Sequence, residues 1–157
     1  MRVKNVMTKD PKFCVPSDTA QHAAGIMKDE HAGIVPVVES AQSLRIVGVV
    51  TDRDLCMNVV AEGRDPGAVP VEQCMTTKVV TCTSNDSVDR VTELMRENQI
   101  RRVPVVNEQH ELLGIVALAD VVERATPKAT QTHETLKKVS APTEDPSKPR
   151  AQSKNVA

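Results

Sequence analysis

Two aspartates stand at matching places in this chain, each at the end of the same kind of run. Asp54 belongs to residues 46–55, IVGVVTDRDL, and Asp120 to the altered copy at 113–121, LGIVALADV. In both, β-branched apolar residues pass through one glycine, Gly48 or Gly114, and the aspartate follows at the same interval. Thr51, Asp52 and Arg53 surround the first aspartate. Carboxylates that only accept, a hydroxyl that does both and a guanidinium that only donates are the means of holding a small polar molecule. If a helix begins here, its unpaired N–H groups favour an anion. A phosphate-bearing small molecule is the first candidate ligand.

Those residues need a strand and a helix to hold them. Consecutive apolar or glycine positions fit a strand covered on both faces, and Thr51 or Asp52 can accept from the N–H groups that open a helix. The rest of the chain repeats around this junction. Met7-Thr8 recurs as Met75-Thr76, Cys14 as Cys82, Asp18 as Asp86, Met27 as Met95, and Val35-Pro36-Val37-Val38 as Val103-Pro104-Val105-Val106. Matches in that order mark an internal duplication.

Each copy predicts a short strand (13–15 or 79–82), a helix, a second strand (34–38 or 103–106), a third strand, and a last helix over 52–62 or 118 to about 125. The first helix has its apolar stripe at Ala20, Ala23, Ala24 and Met27, or at Val88, Val91 and Met95. Asp18 with Gln21 resembles a capping box. Proline cannot donate to a ladder, so Pro36 and Pro104 predict a strand edge or start. The fold class is α/β (α+β): two β-α-β-β-α repeats, 1–62 and 71–125, joined by a turn-rich linker at 63–70. A unit of about fifty residues is marginal alone, so the copies are expected to pack about a pseudo-twofold axis. The Pro, Ser, Thr, Lys and Gln of 126–157 predict a disordered tail.

Composition narrows the function. A formal net charge of −1 gives no basic footprint for nucleic acid. Phe13 is the only aromatic residue, so no platform exists for stacking successive bases. A purine bound here would have to lie between Val, Ile, Met and Pro side chains. Cys14, Cys56, Cys74 and Cys82 form no CxxC pair, and His22, His31, His110 and His133 lack ligand spacing, so no metal site is expected. Met7, Met75 and the paired Cys14 and Cys82 read as packing residues. The first residues lack the apolar run of a signal peptide and no stretch reaches a membrane span, which predicts a cytoplasmic protein with reduced thiols and no membrane partner. No Ser-His-Asp or Cys-His arrangement, Walker loop or GxGxxG is present, and no enzyme is expected.

The doubled order, with Val35-Pro36-Val37-Val38 and Gly48-Val49-Val50-Thr51-Asp52-Arg53-Asp54 in one copy, resembles a tandem pair of cystathionine β-synthase (CBS) domains, a Bateman module of the stand-alone bacterial type. The resemblance covers about four fifths of the chain. It implies a discoid module with two clefts that bind adenosine derivatives such as AMP, ADP, ATP, NAD or S-adenosylmethionine, no obligatory cofactor, and a homodimer acting on a protein target the residues do not name. It further implies that Asp54 and Asp120 hold ribose hydroxyls and that Thr51 meets phosphate. An ionised carboxylate suits a vicinal diol, which offers two donors. Ala117 replaces Thr51 in the second copy, so the two clefts should differ. Arg101 and Arg102, beside Val103 and Pro104, are candidates for forked phosphate contacts, as is Arg53; Val35 and Pro36 are the matching residues of the first copy. The plainer alternatives stay open: Asp54 and Asp120 as first-turn acids favouring the helix dipole, and Arg101 and Arg102 as solvated charges or partners of Glu97 and Asp120. For the whole chain, the alternatives are an interaction module with vestigial clefts and a thiol-based stress sensor using Cys14 and Cys82.

Overall fold

The computed structural model describes residues 1–124; the predicted tail at 126–157 lies outside the described residues. The chain runs β1 (Thr8–Lys9), α1 (Ala20–Asp29), β2 (Ile34–Val38), β3 (Ile46–Thr51), α2 (Asp52–Leu55), β4 (Cys82–Thr83), α3 (Val88–Asn98), β5 (Arg102–Val106), β6 (Leu112–Ala117) and α4 (Leu118–Arg124). One sheet has the order β1-β6-β5-β4, with β4 parallel to β5 and the other pairs antiparallel. In the other, β2 pairs antiparallel with β3. Single bridges extend it on both sides, from Cys14 to Val37 in parallel and from Thr76 to Val49 antiparallel. The two sheets are therefore the same arrangement made twice, one with shorter outer strands.

The duplication carries an exchange. The segment before each repeat completes the core of the other one. Val3 and Val6, both fully buried, pack with Val88, Val91, Met95, Val103 and Val116 of the second repeat. Val69, Val71 and Cys74 close the core of Ala20, Ala23, Met27, Val35 and Val50 in the first. Matching backbone bonds fasten the segments: Val3 N–H donates to Asp86 O (3.0 Å) and Lys4 N–H to Ser84 O (3.0 Å), as Val71 N–H donates to Asp18 O (2.7 Å) and Glu72 N–H to Pro16 O (3.0 Å). The repeats are interlocked rather than merely stacked.

This crossing explains the two glycines. A Cβ built on Gly114 would lie 2.6 Å from the Thr8 carbonyl oxygen, and one on Gly48 would lie 2.8 Å from Met75 Sδ and 3.0 Å from the Thr76 carbonyl oxygen. Each glycine lets the exchanged Met-Thr segment lie flat against the third strand.

Several sequence expectations are corrected. Pro36 and Pro104 lie inside strands flanked on both sides, not at an edge or a start. The ladder tolerates Pro36 because Val49 opposite turns its N–H and C=O away, to Thr76 at 2.9 and 2.8 Å. The cap of α1 is Thr19, whose hydroxyl accepts from His22 N–H at 3.1 Å. Asp18 instead accepts from Val15 N–H at 2.8 Å in the preceding turn, as Asp86 does from Thr83 N–H at 2.7 Å, which leaves the cap to the next hydroxyl, Ser87 in the second copy. The predicted helix over 52–62 is one α-turn, Asp52–Leu55, that widens into a π-turn, Cys56–Val60, with Ala61 N–H bonded to Cys56 O at 2.9 Å. That winding keeps Leu55 and Val59 in the core. The expected strand at 13–15 is reduced to the single Cys14 bridge, and of the strand expected at 79–82 only Cys82 belongs to β4.

Candidate functional site

At the end of β3 the chain turns into α2 with Thr51 as N-cap. Thr51 Oγ1 accepts from Asp54 N–H at 3.1 Å and donates to Asp54 Oδ2 at 2.9 Å, while Thr51 N–H donates to the same oxygen at 2.9 Å. This reciprocal capping box holds the carboxylate rigidly. Only one carboxylate oxygen is used by it, and no hydrogen bond among the described residues ends on Oδ1 of Asp54. The helix-cap reading and the ligand reading of Asp54 are thus compatible, one oxygen for each. In the second copy, Asp120 Oδ2 accepts from Ala117 N–H at 3.2 Å, and with no hydroxyl at residue 117 the box is half made.

A first cleft, with a volume of about 420 Å³, opens over this junction. Thr51, Asp52, Arg53 and Asp54 come to it from the first repeat, Thr76 and Lys78 from the exchanged segment, and Arg101, Arg102 and Pro104 from the second repeat. Ile34, Val49, Val79, Val80 and Ile100 supply aliphatic wall. Four cations, Arg53, Lys78, Arg101 and Arg102, face two carboxylates, Asp52 and Asp54. Among the described residues the ion pairs are Arg45–Glu39, Arg90–Glu93 and Arg96–Glu93, so neither Arg101 nor Arg102 is paired with Glu97 or Asp120. An uncompensated positive lining of this kind attracts phosphate.

The second cleft is the counterpart under the repeat, with a volume of about 280 Å³. Thr8, Lys12, His31, Ala32, Ile34, Ile115, Ala117 and Asp120 take the places that Thr76, Val80, Gln99, Ile100, Arg102, Val49, Thr51 and Asp54 take in the first. Its charges are closer to balance, Lys12 and Arg102 against Glu30 and Asp120. Ile34 and Arg102 line both clefts, so the wall between them is an aliphatic chain from one repeat and a guanidinium from the other.

The structure brings Thr51, Arg53, Asp54, Arg101, Arg102 and Pro104 to one cleft and Asp120 to the other. Val35 and Val103 are fully buried in the two cores, turned away from both clefts, and Pro36 is buried within β2 without lining either. Sequence reasoning missed Thr76, Lys78, Val79, Val80, Gln99 and Ile100. The repeat held the signal for Thr76, which shares its Met-Thr pair with Thr8.

The thiol reading meets a physical obstacle. Cys14 and Cys82 are buried, and burial, reinforced by Asp18 and by Asp86 respectively, pushes each thiol up to about 12. Little thiolate is present at neutral pH, and the thiolate is the species oxidants attack. Cys56 is the exposed cysteine among the described residues. One convergence was absent from the sequence expectations: Cys14 Sγ, a carboxylate oxygen of Asp18 and a ring nitrogen of His22 lie within 4.8 Å of one another. With its thiol raised in this way, the trio is not an activated nucleophile.

Two interlocked α+β repeats with an aspartate lining each cleft define a duplicated regulatory module. The CBS domain model matches residues 3–61 and 71–126, and the chain belongs to that family as a tandem pair. Stand-alone proteins of this kind are generally regulatory rather than catalytic. Among relatives, CBS domain-containing protein YhcV of Bacillus subtilis (strain 168) is 41% identical over 119 residues, which is 76% of this chain and 81% of YhcV. A crystal structure of Hypoxic Response Protein I with two coordinated zinc ions superposes with a TM-score of 0.71 at 28% identity, covering 79% of this chain and 98% of that one. A CBS domain pair in complex with 5-methylthioadenosine and S-adenosyl-L-methionine has a TM-score of 0.67 at 27% identity, covering 78% of this chain and 94% of that one. No described helix is long and apolar enough to cross a membrane.

Proposed function

We propose that this chain is a regulatory sensor that binds an adenosine derivative carrying phosphate in the first cleft and signals by a change of conformation. The observation that carries this reading is the joining, in one cleft, of the rigid Thr51–Asp54 cap with four cations and an aliphatic wall. In this reading Asp54 Oδ1 takes the ribose diol and Arg53, Lys78, Arg101 and Arg102 take the phosphate, two roles that need different groups. Ile100, Val79, Val80 and Pro104 enclose the purine, in a chain that has no aromatic residue for the task beyond Phe13. A solved relative described with 5-methylthioadenosine and S-adenosyl-L-methionine supports the adenosine part of this ligand class, not its phosphate. Signalling requires the ligand to prefer one of two conformations, and the interlocked segments give the clefts a direct mechanical link to both cores.

The test is thermal unfolding of nucleotide-free protein with AMP, ADP, ATP, NAD or S-adenosylmethionine, repeated on Asp54→Ala and Asp120→Ala. A ligand at about a hundred times its dissociation constant stabilises by about 2.7 kcal/mol. A shift with AMP, ADP, ATP or NAD that is lost in Asp54→Ala and kept in Asp120→Ala supports the reading; no shift with any of these four, in folded and empty protein, overturns it. An interaction module is the second reading, favoured by one observation: Met57 (53%), Val60 (72%) and Val122 (39%) are exposed on the helical segments that follow β3 and β6. A homodimer joined through those residues is compatible with either reading.

A further inference from the structure

The convergence of Cys14, Asp18 and His22 lies outside both clefts and serves neither. We propose that these three side chains bind one divalent transition-metal ion, zinc above all, at the start of α1. The donor set is thiolate, carboxylate and imidazole, which together suit zinc better than magnesium or calcium. Three ligands leave a fourth, solvent-facing position, because His22 is exposed while Cys14 is buried. The donor atoms already lie within 4.8 Å of one another. Asp18 is held for the purpose: Val15 N–H fixes its Oδ2 at 2.8 Å, which orients the carboxylate as an outer hydrogen bond does in established sites.

The duplication supplies an internal control. Cys82, Asp86 and Arg90 occupy the same places in the second copy, with Asp86 bonded to Thr83 N–H as Asp18 is to Val15 N–H. The cysteine and the aspartate thus belong to the turn in both copies. Only the third residue differs, a histidine that can ligate against an arginine that cannot. The structure therefore assigns a site to the first repeat and none to the second.

Binding forms a metal–sulfur bond and breaks the Cys14 S–H bond, with the proton released to solvent and no change of oxidation state. Burial raises the Cys14 thiol to about 12, so the metal must displace a firmly held proton, and affinity falls as pH falls. A bound ion would tie the turn before α1 to the first turn of that helix. The same helix reaches the second cleft through Ile26.

The test uses the full chain, stripped with a chelator and titrated with cobalt(II) alone under reducing conditions, read by the near-ultraviolet thiolate-to-cobalt band and by the visible bands of tetrahedral cobalt. The expected result is one ion per chain, displaced by zinc. His22→Arg, an exposed change that reproduces the second copy, is expected to weaken binding by roughly tenfold or more. Cys14→Ser is expected to abolish the thiolate band and Cys82→Ser to leave it intact. Zinc is expected to raise the unfolding temperature of the wild type and not of His22→Arg. Absence of a thiolate band in folded wild type, a band that survives Cys14→Ser, or full affinity in His22→Arg would each overturn the proposal. None of these readouts depends on nucleotide binding.

Discussion

Asp54 caps α2 with one oxygen and, in the proposed function, holds ligand with the other, and substitution can separate the two. Asp54→Ala removes both, so beyond losing ligand it is expected to lose about 1 kcal/mol of stability with the cap, measurable by urea unfolding. Asp54→Asn keeps an oxygen that can accept from Thr51 N–H, so its unfolding midpoint should stay nearer the wild type while nucleotide binding still falls with the lost charge. The buried thiols have a pH signature of their own. Each has its folded value raised above the ordinary thiol value, so the protonated form is favoured by folding. The stability this contributes is fully present below the ordinary value and is lost as pH rises from there towards about 12. Urea midpoints should therefore fall between about pH 9 and 11, less steeply in Cys14→Ala Cys82→Ala. At this scale the sequence was readable where chemistry is local: Thr51, Asp54 and the arginines follow from residue type and position. Val35 and Val103 were misplaced because β2 and β5 are buried almost throughout, so no alternation of polarity tells which side chain faces the core.

The elements were legible where a periodic stripe or a repeat marked them, and less so where a side chain chose between two backbone partners. Asp18 and Thr19 stand side by side, and each can accept at a helix start; only the fold shows that Val15 N–H claims the first. The same limit hid the purpose of Gly48 and Gly114, which the sequence marks as strand glycines but not as crossings. Gly114→Ala would bring a methyl to 2.6 Å from a backbone oxygen that cannot move without shifting β1. It should cost about 1 to 3 kcal/mol. Gly48→Ala should cost less, since the nearest atom is the flexible Met75 sulfur. Urea denaturation of the two variants checks the order.

At the scale of the molecule, the pseudo-twofold relation was legible and the exchange was not. Matched residues reveal a duplication, but nothing in local composition says which copy a connecting segment completes. That exchange has a measurable cost when undone. A chain lacking residues 1–9 loses Val3 and Val6 from the second core, each worth about 1.5 to 3 kcal/mol of burial. It should unfold at markedly lower denaturant, and a peptide of residues 1–9 added in trans should restore part of the loss. Arg102 lines both clefts, so one side chain belongs to both. Arg102→Ala should weaken nucleotide binding in the first cleft as Asp54→Ala does, whereas Asp120→Ala, in the second, should leave it unchanged, as calorimetric titration would resolve.

The exchanged segments also set an order of events during synthesis. The core of the first repeat and its bridge to Thr76 are complete once Thr76 has left the ribosome. The second repeat differs, because Val3, Val6 and Thr8, made before the first repeat, find their places against α3 and β6. Until Ile115 emerges, Thr8 in that segment has no strand to join. The growing chain therefore keeps the segment ahead of its first repeat waiting until the second is made, and its folding closes by reaching back across the whole duplication.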